Sequence, residues 1–448
     1  MRDSVTGLQK PALIVCATEV TMTDQKSARY AILPENIWNG RWSRSRSGMA
    51  VIVEGCSIRA VCSAEAVPRG LRKHRFPGCT VLPGLIDGHV HFCDWMRPGF
   101  LAAGVTTIRD VGNDLDWVLE RRRRARANPI LWPNFLCCGP LLDGPEAHWP
   151  IMGKPHQDRA AIEASVKSQI KKDVDAIKLY VTITHEQMTG AAEVSRRHGK
   201  YILAHLGKFS AQEAAEAGIN EIEHLCGCAA AWKQSSVDEL NALCDDLLPS
   251  GLVMCPTLVV WDRIGRTNEP AFRQDKRLRW VHPAFLQAWE NYPNRFGLPE
   301  ARLNLQRSVV EMKRCLAQMQ KRGITIIAGT DSPFPYLVPG FSLHDEIIQM
   351  VDAGLAPVNA LRAATSNAAK VMQISKQVGE IAPGLQADFL ITAGDPTKEI
   401  HDVAKVKQVV RHGTFLKAEQ LHRMAARLHR QSTEDPVSRD ILGHVSAR

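Results

Sequence analysis

Six positions in this chain could together do metal chemistry: His89 and His91, Lys178, His205, His224 and Asp331. Each stands at or near the end of a short apolar run that reads as a strand. His89 and His91 close the run 83–91 at i, i+2 spacing, which puts both imidazoles on one strand face and within reach of one metal. Alone, such a pair fits two polar residues at an exposed strand end equally well; the other four positions decide against that. Lys178 lies within the strand-like stretch 174–181. Lysine is almost never buried without a partner, and an ammonium would repel a pair of cations. A lysine that has reacted with carbon dioxide is an anionic carbamate whose two oxygens can bridge two metals; the plainer alternative is a lysine snorkelling to solvent. His205 closes 200–205 and His224 closes 219–224, with an Ala- and Glu-rich helical stretch, 209–217, and a stop at Gly218 between them. That strand–helix–strand unit sets the two histidines side by side on adjacent parallel strands. The run 323–331 ends in Asp331, which reads as a metal-bound base more readily than as a helix cap. Together the six spell the ligand set of a two-metal hydrolytic centre.

The elements that must position them follow. Eight strand candidates run over 80–91, 105–110, 134–139, 174–181, 201–205, 219–225, 252–258 and 324–331. Helix-like segments intervene, among them 158–172, 185–198, 237–248, 302–321 and 343–353. Eight β-then-α repeats predict an α/β fold, a closed (β/α)8 TIM barrel whose active site lies at the carboxyl ends of its strands, where every proposed ligand falls. Before the barrel, 50–55 and 57–62 read as a hairpin, and 12–17 suits a strand. After it, 379–384, 387–392 and 406–411 read as strands, the last turning at His412-Gly413. The termini are therefore expected to build one small β-sandwich. The domains become 1–80 and 376–420 for the sandwich, 81–375 for the barrel and 421–448 for a helix and loose tail. The stretch 260–300, with four tryptophan or tyrosine residues, is expected to cover the site as a lid. Residues 41–46 have no assigned role.

The 448 residues are ample for one barrel and a smaller unit. A formal net charge of +9 could suggest an anionic partner, but the excess is scattered. Its densest run, Arg121 to Arg124, is expected on the solvated face of a helix at 115–127. No helix-turn-helix, finger or aromatic-plus-basic array suggests nucleic-acid binding. The twelve cysteines are dispersed and read as buried hydrophobes in a reducing compartment. Cys226-Gly227-Cys228, without a second pair, is a weak zinc signal. No run approaches 18 apolar residues, so no membrane span is expected. These features predict a cytoplasmic enzyme; a small-molecule substrate and a homo-oligomer are expected, although no sequence feature sets the oligomeric state.

Particular motifs carry a resemblance: Leu82 to His91, Gly104 to Asp110, Ile222-Glu223-His224, Gly329-Thr330-Asp331 and Gly379 to Asp388. In these the chain resembles the amidohydrolase superfamily, in particular its imidazolonepropionase-like and Xaa-Pro dipeptidase (prolidase)-like members, from about residue 50 to 416. The resemblance implies that His89 and His91 bind the more buried metal and His205 and His224 the more exposed one. Lys178 would bridge both as a carbamate, and Asp331 would bind the buried metal and serve as base. Its Lys178 sets the chain apart from the mononuclear members and points to the binuclear, prolidase-like group. Nitrogen and oxygen ligands suit zinc, manganese or cobalt. The expected activity is hydrolysis of an amide C–N bond in a dipeptide, N-acyl amino acid or aryl amide. Carbamate, ester or phosphotriester hydrolysis on the same centre is the alternative, and a non-enzymatic scaffold is disfavoured because all six ligands are present. His148, after strand three, and Tyr180, on the face of Lys178, are candidate substrate contacts. Trp261 and Arg263, at the start of the lid, could hold an aromatic or anionic group.

Overall fold

The computed structural model describes residues 29–290 and 299–446. The strand expected at 12–17 and Tyr292 of the expected lid lie outside the described residues. Among the described residues, short strands occupy the middle of the chain, the main ones being β1 (Leu85–Val90), β2 (Val105–Asp110), β3 (Asn134–Cys137), β4 (Ala176–Leu179), β5 (Tyr201–Ala204), β6 (Glu221–Glu223), β7 (Val253–Cys255) and β8 (Thr325–Ile326). They form two parallel sheets. One is β1-β2-β3; the other runs Gly153–Lys154, Leu141–Leu142 and then β4 to β8 in chain order. Backbone hydrogen bonds link the two sheets at both ends: Asp175 N–H donates to the Cys137 carbonyl at 2.8 Å, and Gly88 N–H to the Ala328 carbonyl at 2.9 Å. Every residue of β1, β2, β4, β6 and β7 is buried, so the charged side chains these strands carry must find partners inside.

The helices begin where the sequence offers caps. Asp158 accepts from the Ala161 N–H ahead of Arg159–Lys171, and Thr184 with Gln187, Ser210 with Glu213 and Ser236 with Glu239 form capping boxes. Ala211–Ala217 stops at Gly218, whose φ of 95° suits a residue without a side chain. The chain's two ends meet in one eight-stranded mixed sheet: Arg29–Ile37, Arg46–Ser47, Met49–Glu54, Ser57–Ser63 and Arg72–Pro83 are joined by Phe389–Ala393, Val406–Arg411 and Thr414–Phe415. Its seam pairs Leu82 with Leu390, antiparallel.

Several expectations need correction. The stretch 80–91 is two strands, because Gly84 packs so tightly on the Thr106 side chain that no Cβ would fit there. The stretch 379–384 is no strand; Gly379 and Gly384, at φ 94° and 89°, turn the chain at both its ends. Strand seven stops at Cys255, since Thr257 adopts φ 45° and Leu258 opens the helix Leu258–Gly265. The last strand pairs only over Thr325–Ile326. The stretch 260–300 is helical over Pro270–Arg273 and Pro283–Glu290. Beyond 421 there is a helix, Ala418–Leu428, and then a second, Pro436–Ser446, in place of a loose tail. In the basic run Arg122 is buried, donating to the Asp173 carbonyl and to Asp175, while Arg123 and Arg124 pair on the surface with Glu120.

Candidate metal centre

The ends of β1, β6 and β8 bring three imidazoles to one carboxylate. Asp331 Oδ1 lies 3.1 Å from His89 Nε2 and 3.3 Å from His91 Nε2, and Asp331 Oδ2 lies 4.0 Å from His224 Nε2. Ligand atoms of His89, His91 and Asp331 all fall within 4.8 Å of one another. The other ring nitrogen of each histidine is tied away from the centre. His89 Nδ1 donates to Glu223 Oε2 at 2.6 Å, His91 Nδ1 to the Gly112 carbonyl at 3.1 Å, and His224 Nδ1 meets Thr257 Oγ1 at 2.6 Å. Anchoring Nδ1 and presenting Nε2 is how a protein fixes the tautomer and ring plane of a metal-binding histidine.

The backbone supports this placement. Buried Asp87 accepts from the Thr330 N–H and hydroxyl, at 3.0 and 2.7 Å, and so locks β1 to the segment carrying Asp331. Gly329 sits so close to His89 and Cys255 that a Cβ would lie 2.6 Å from the His89 Cβ. His224, Thr257 and Asp331 all have left-handed backbones, at φ 60°, 45° and 63°, a cost of about 1–3 kcal/mol each that persists only where the surroundings over-determine it.

His205 and Lys178 lie close by. The His205 ring centroid lies 4.6 Å from that of His224 and 4.9 Å from that of Tyr180. Burial, reinforced by Lys178, pulls His205 down to about 3, and burial holds His224 well below the usual imidazole range. Neutral imidazole is the form that binds a metal. Burial pushes the Asp331 carboxyl up, but the His89 and His224 rings outweigh it and hold Asp331 well below the usual carboxylate range. The Lys178 side chain is fully buried on β4, its Nζ 3.3 Å from Glu223 Oε1. Neither of those two atoms, nor Asp331 Oδ1, nor His205 Nδ1, makes a hydrogen bond. Buried polar atoms without partners are costly, and the unshared lone pairs of Asp331 Oδ1 and His205 Nδ1 are what divalent ions would satisfy; the donor set fits such ions.

Tyr180, just past β4, is buried; its oxygen accepts from Trp149 Nε1–H at 3.1 Å. His148 is exposed at the rim, its ring 5.9 Å from that of Tyr180. Trp261 meets the His224 ring edge-on at 5.8 Å, and Phe334 lies 6.3 Å from the His91 ring. Arg263 is a correction: it turns away from the centre, donating to Asp345 at 2.6 Å and stacking on Phe272. Sequence reasoning missed Glu223 and Thr257 as supports. The signal for Glu223 was there, since Glu221 and Glu223 alternate on a buried strand and need cations; Glu221 takes Arg109 of β2, and Glu223 takes His89 and Lys178.

A model of the Amidohydrolase family matches residues 80–416. No curated protein sequence matches the chain. Among solved structures, a Xaa-Pro dipeptidase with bound methionine in the active site is similar, with a TM-score of 0.69 and 18% identity, covering 87% of this chain and 100% of its own. A bottromycin amidohydrolase gives 0.70 and 22%, covering 92% of each chain. An ochratoxinase from A. niger gives 0.67 and 18%, covering 88% of this chain and 96% of its own.

Proposed function

The chain belongs to the amidohydrolase family, hydrolases of carbon–nitrogen bonds, and on that premise we propose that it cleaves an amide bond of a dipeptide, N-acyl amino acid or aryl amide. The two linked parallel sheets act in this reading as one closed eight-stranded barrel over 81–375. The sheet shared by the chain ends is its accessory domain. His89, His91, Lys178, His205, His224 and Asp331 would hold two divalent ions, zinc before manganese or cobalt, with Lys178 carboxylated to serve as an anionic ligand. One observation carries the proposal: three Nε2 atoms face the Asp331 carboxylate while each matching Nδ1 is bonded away from it. Carboxylation would also leave Lys178 with a neutral N–H facing Glu223 Oε1, in place of a buried ammonium without a hydrogen bond.

Divalent ions bound here would make a water acidic and would polarise a substrate carbonyl. The chain's own residues do the rest. Asp331 takes the proton of the attacking water and passes it to the leaving nitrogen, a base that becomes an acid. Tyr180 receives its hydrogen bond from Trp149, so its own O–H stays free to donate to a substrate carbonyl or carboxylate. Burial raises the Tyr180 phenol, which keeps that proton in place. Trp149, Phe334 and Trp261 around the imidazoles favour substrates with apolar or aromatic groups beside the scissile bond.

Two measurements test this. Purified protein should carry close to two equivalents of divalent metal, and a panel of dipeptides, N-acyl amino acids and aryl amides should contain a substrate. Asp331→Asn should abolish turnover with an unchanged melting temperature; retention of most activity would remove Asp331 as the base.

A further inference from the structure

The family match ends at residue 416, yet the chain beyond it reaches the candidate site. Asp440, on the helix Pro436–Ser446, is buried, and its carboxylate accepts three hydrogen bonds from the loop that carries His148 and Trp149. Ile151 N–H donates to both oxygens, at 3.1 and 3.0 Å, and Met152 N–H to Oδ2 at 2.6 Å. Two successive amides pointing the same way make a small anion-binding concavity, and Asp440 fills it. The same helix touches the other rim: Ser438 Oγ, fully buried, lies 3.6 Å from the sulfur of Cys93, two residues past His91.

The loop so held is tightly built. Gly153 N–H donates to the Trp149 carbonyl at 3.0 Å, and Leu141 N–H to the Met152 carbonyl at 2.9 Å, which seats the turn 149–153 on the sheet beside β4. From that turn the Trp149 indole reaches back to the Tyr180 hydroxyl at 3.1 Å and faces Phe334 at 6.1 Å. A carboxylate bonded to consecutive amides fixes both the position and the tilt of such a turn, and charge-assisted bonds of this kind are about twice as strong as neutral ones.

We propose that the helix Pro436–Ser446 forms part of the active-site wall, and that Asp440 is a positioning residue that sets the 148–153 loop so that Trp149 closes over Tyr180. This rests on the reading above that Tyr180 faces the substrate. The control of substrate access is thereby assigned to the segment the family pattern does not include.

The test uses full-length, metal-loaded protein and the variants Asp440→Asn and Asp440→Glu. Asparagine keeps the shape but loses the charge; glutamate keeps the charge on a longer arm. Nitration by tetranitromethane, located by mass spectrometry, reads the cover over Tyr180 without any substrate. Asp440→Asn should nitrate several-fold faster at Tyr180, with Tyr201 and the melting temperature unchanged, and Asp440→Glu should fall between it and the parent. On whichever amide the screen identifies, Asp440→Asn should raise KM and leave kcat close to that of the parent. Equal nitration at Tyr180 in all three proteins would overturn the proposal, as would a kcat loss with KM unchanged. If no amide is turned over, the functional reading fails while the nitration result still decides the role of Asp440.

Discussion

At the scale of single residues, the positions proposed to bind metal are those whose chemistry cannot be explained by packing. Buried Lys178 and the paired histidines at the end of β1 stood out because apolar runs ended in groups that interiors reject. Their supports were less legible. Glu223 holds His89 at 2.6 Å and faces Lys178 at 3.3 Å; its alternation with Glu221 signals a need for cations, but no local spacing names which cations, since they come from distant strands. Thr257 was hidden for a different reason: a threonine at φ 45° violates local preference, so no propensity argument would place it against His224. Glu223→Gln, which keeps the shape and removes the charge, should lower metal affinity by roughly 10–100-fold, as changes to such supporting partners commonly do. Competition with a chromophoric chelator would measure it, and unchanged affinity would show that Glu223 only fills space.

At the scale of elements, what the sequence announced best was the beginning of helices and the core of strands. The helix at Leu115–Ala127 and the strands at Val105–Asp110 and Val406–Arg411 fall on the expected residues. Ends were harder wherever tertiary contacts, and not composition, stop an element, as Thr257 stops β7. One such stop has a measurable signature. Glu346, on the helix Phe341–Asp352, is fully buried and accepts from the Leu258 and Val259 N–H groups, at 3.0 and 2.7 Å, just past Thr257. Burial pushes its carboxyl from an ordinary 4.5 up to about 8 against the pull of those two amides. Below about pH 4.5 the group is protonated whether the chain is folded or not. Between there and about pH 8 only the folded chain keeps the proton, so stability falls as pH rises and levels off above. The slope from this group is at most about 1.4 kcal/mol per pH unit. Melting curves from pH 5 to 8 should therefore flatten in Glu346→Gln relative to the parent; parallel curves would refute a protonated Glu346.

At the scale of the whole molecule, one buried arginine of the terminal sheet fastens it to the loop that leads into the parallel sheets. Arg411, fully buried, pairs with Asp388 and donates to the Pro129 and Trp132 carbonyls at 2.7 and 2.8 Å. Arg411→Met should cost about 3–5 kcal/mol, because it leaves a carboxylate buried without its cation. Urea unfolding would show the loss, and a second transition would show that the two parts then unfold separately. A small β-sandwich drawing on both chain ends was expected from short β-like runs at each end; the structure has them in one mixed sheet. The order of its strands was not expected, since pairing across such a separation has no sequence pattern of its own. The separation also governs how the protein is born. Thr80 bonds to the Gly394 carbonyl, 314 positions later; at roughly 5–20 residues per second on a ribosome, its partner strand emerges only tens of seconds afterwards. Through that interval a nascent strand edge stands open beside a half-made enzyme, so cells producing this chain must shield that edge or slow its encounters with its neighbours until translation ends.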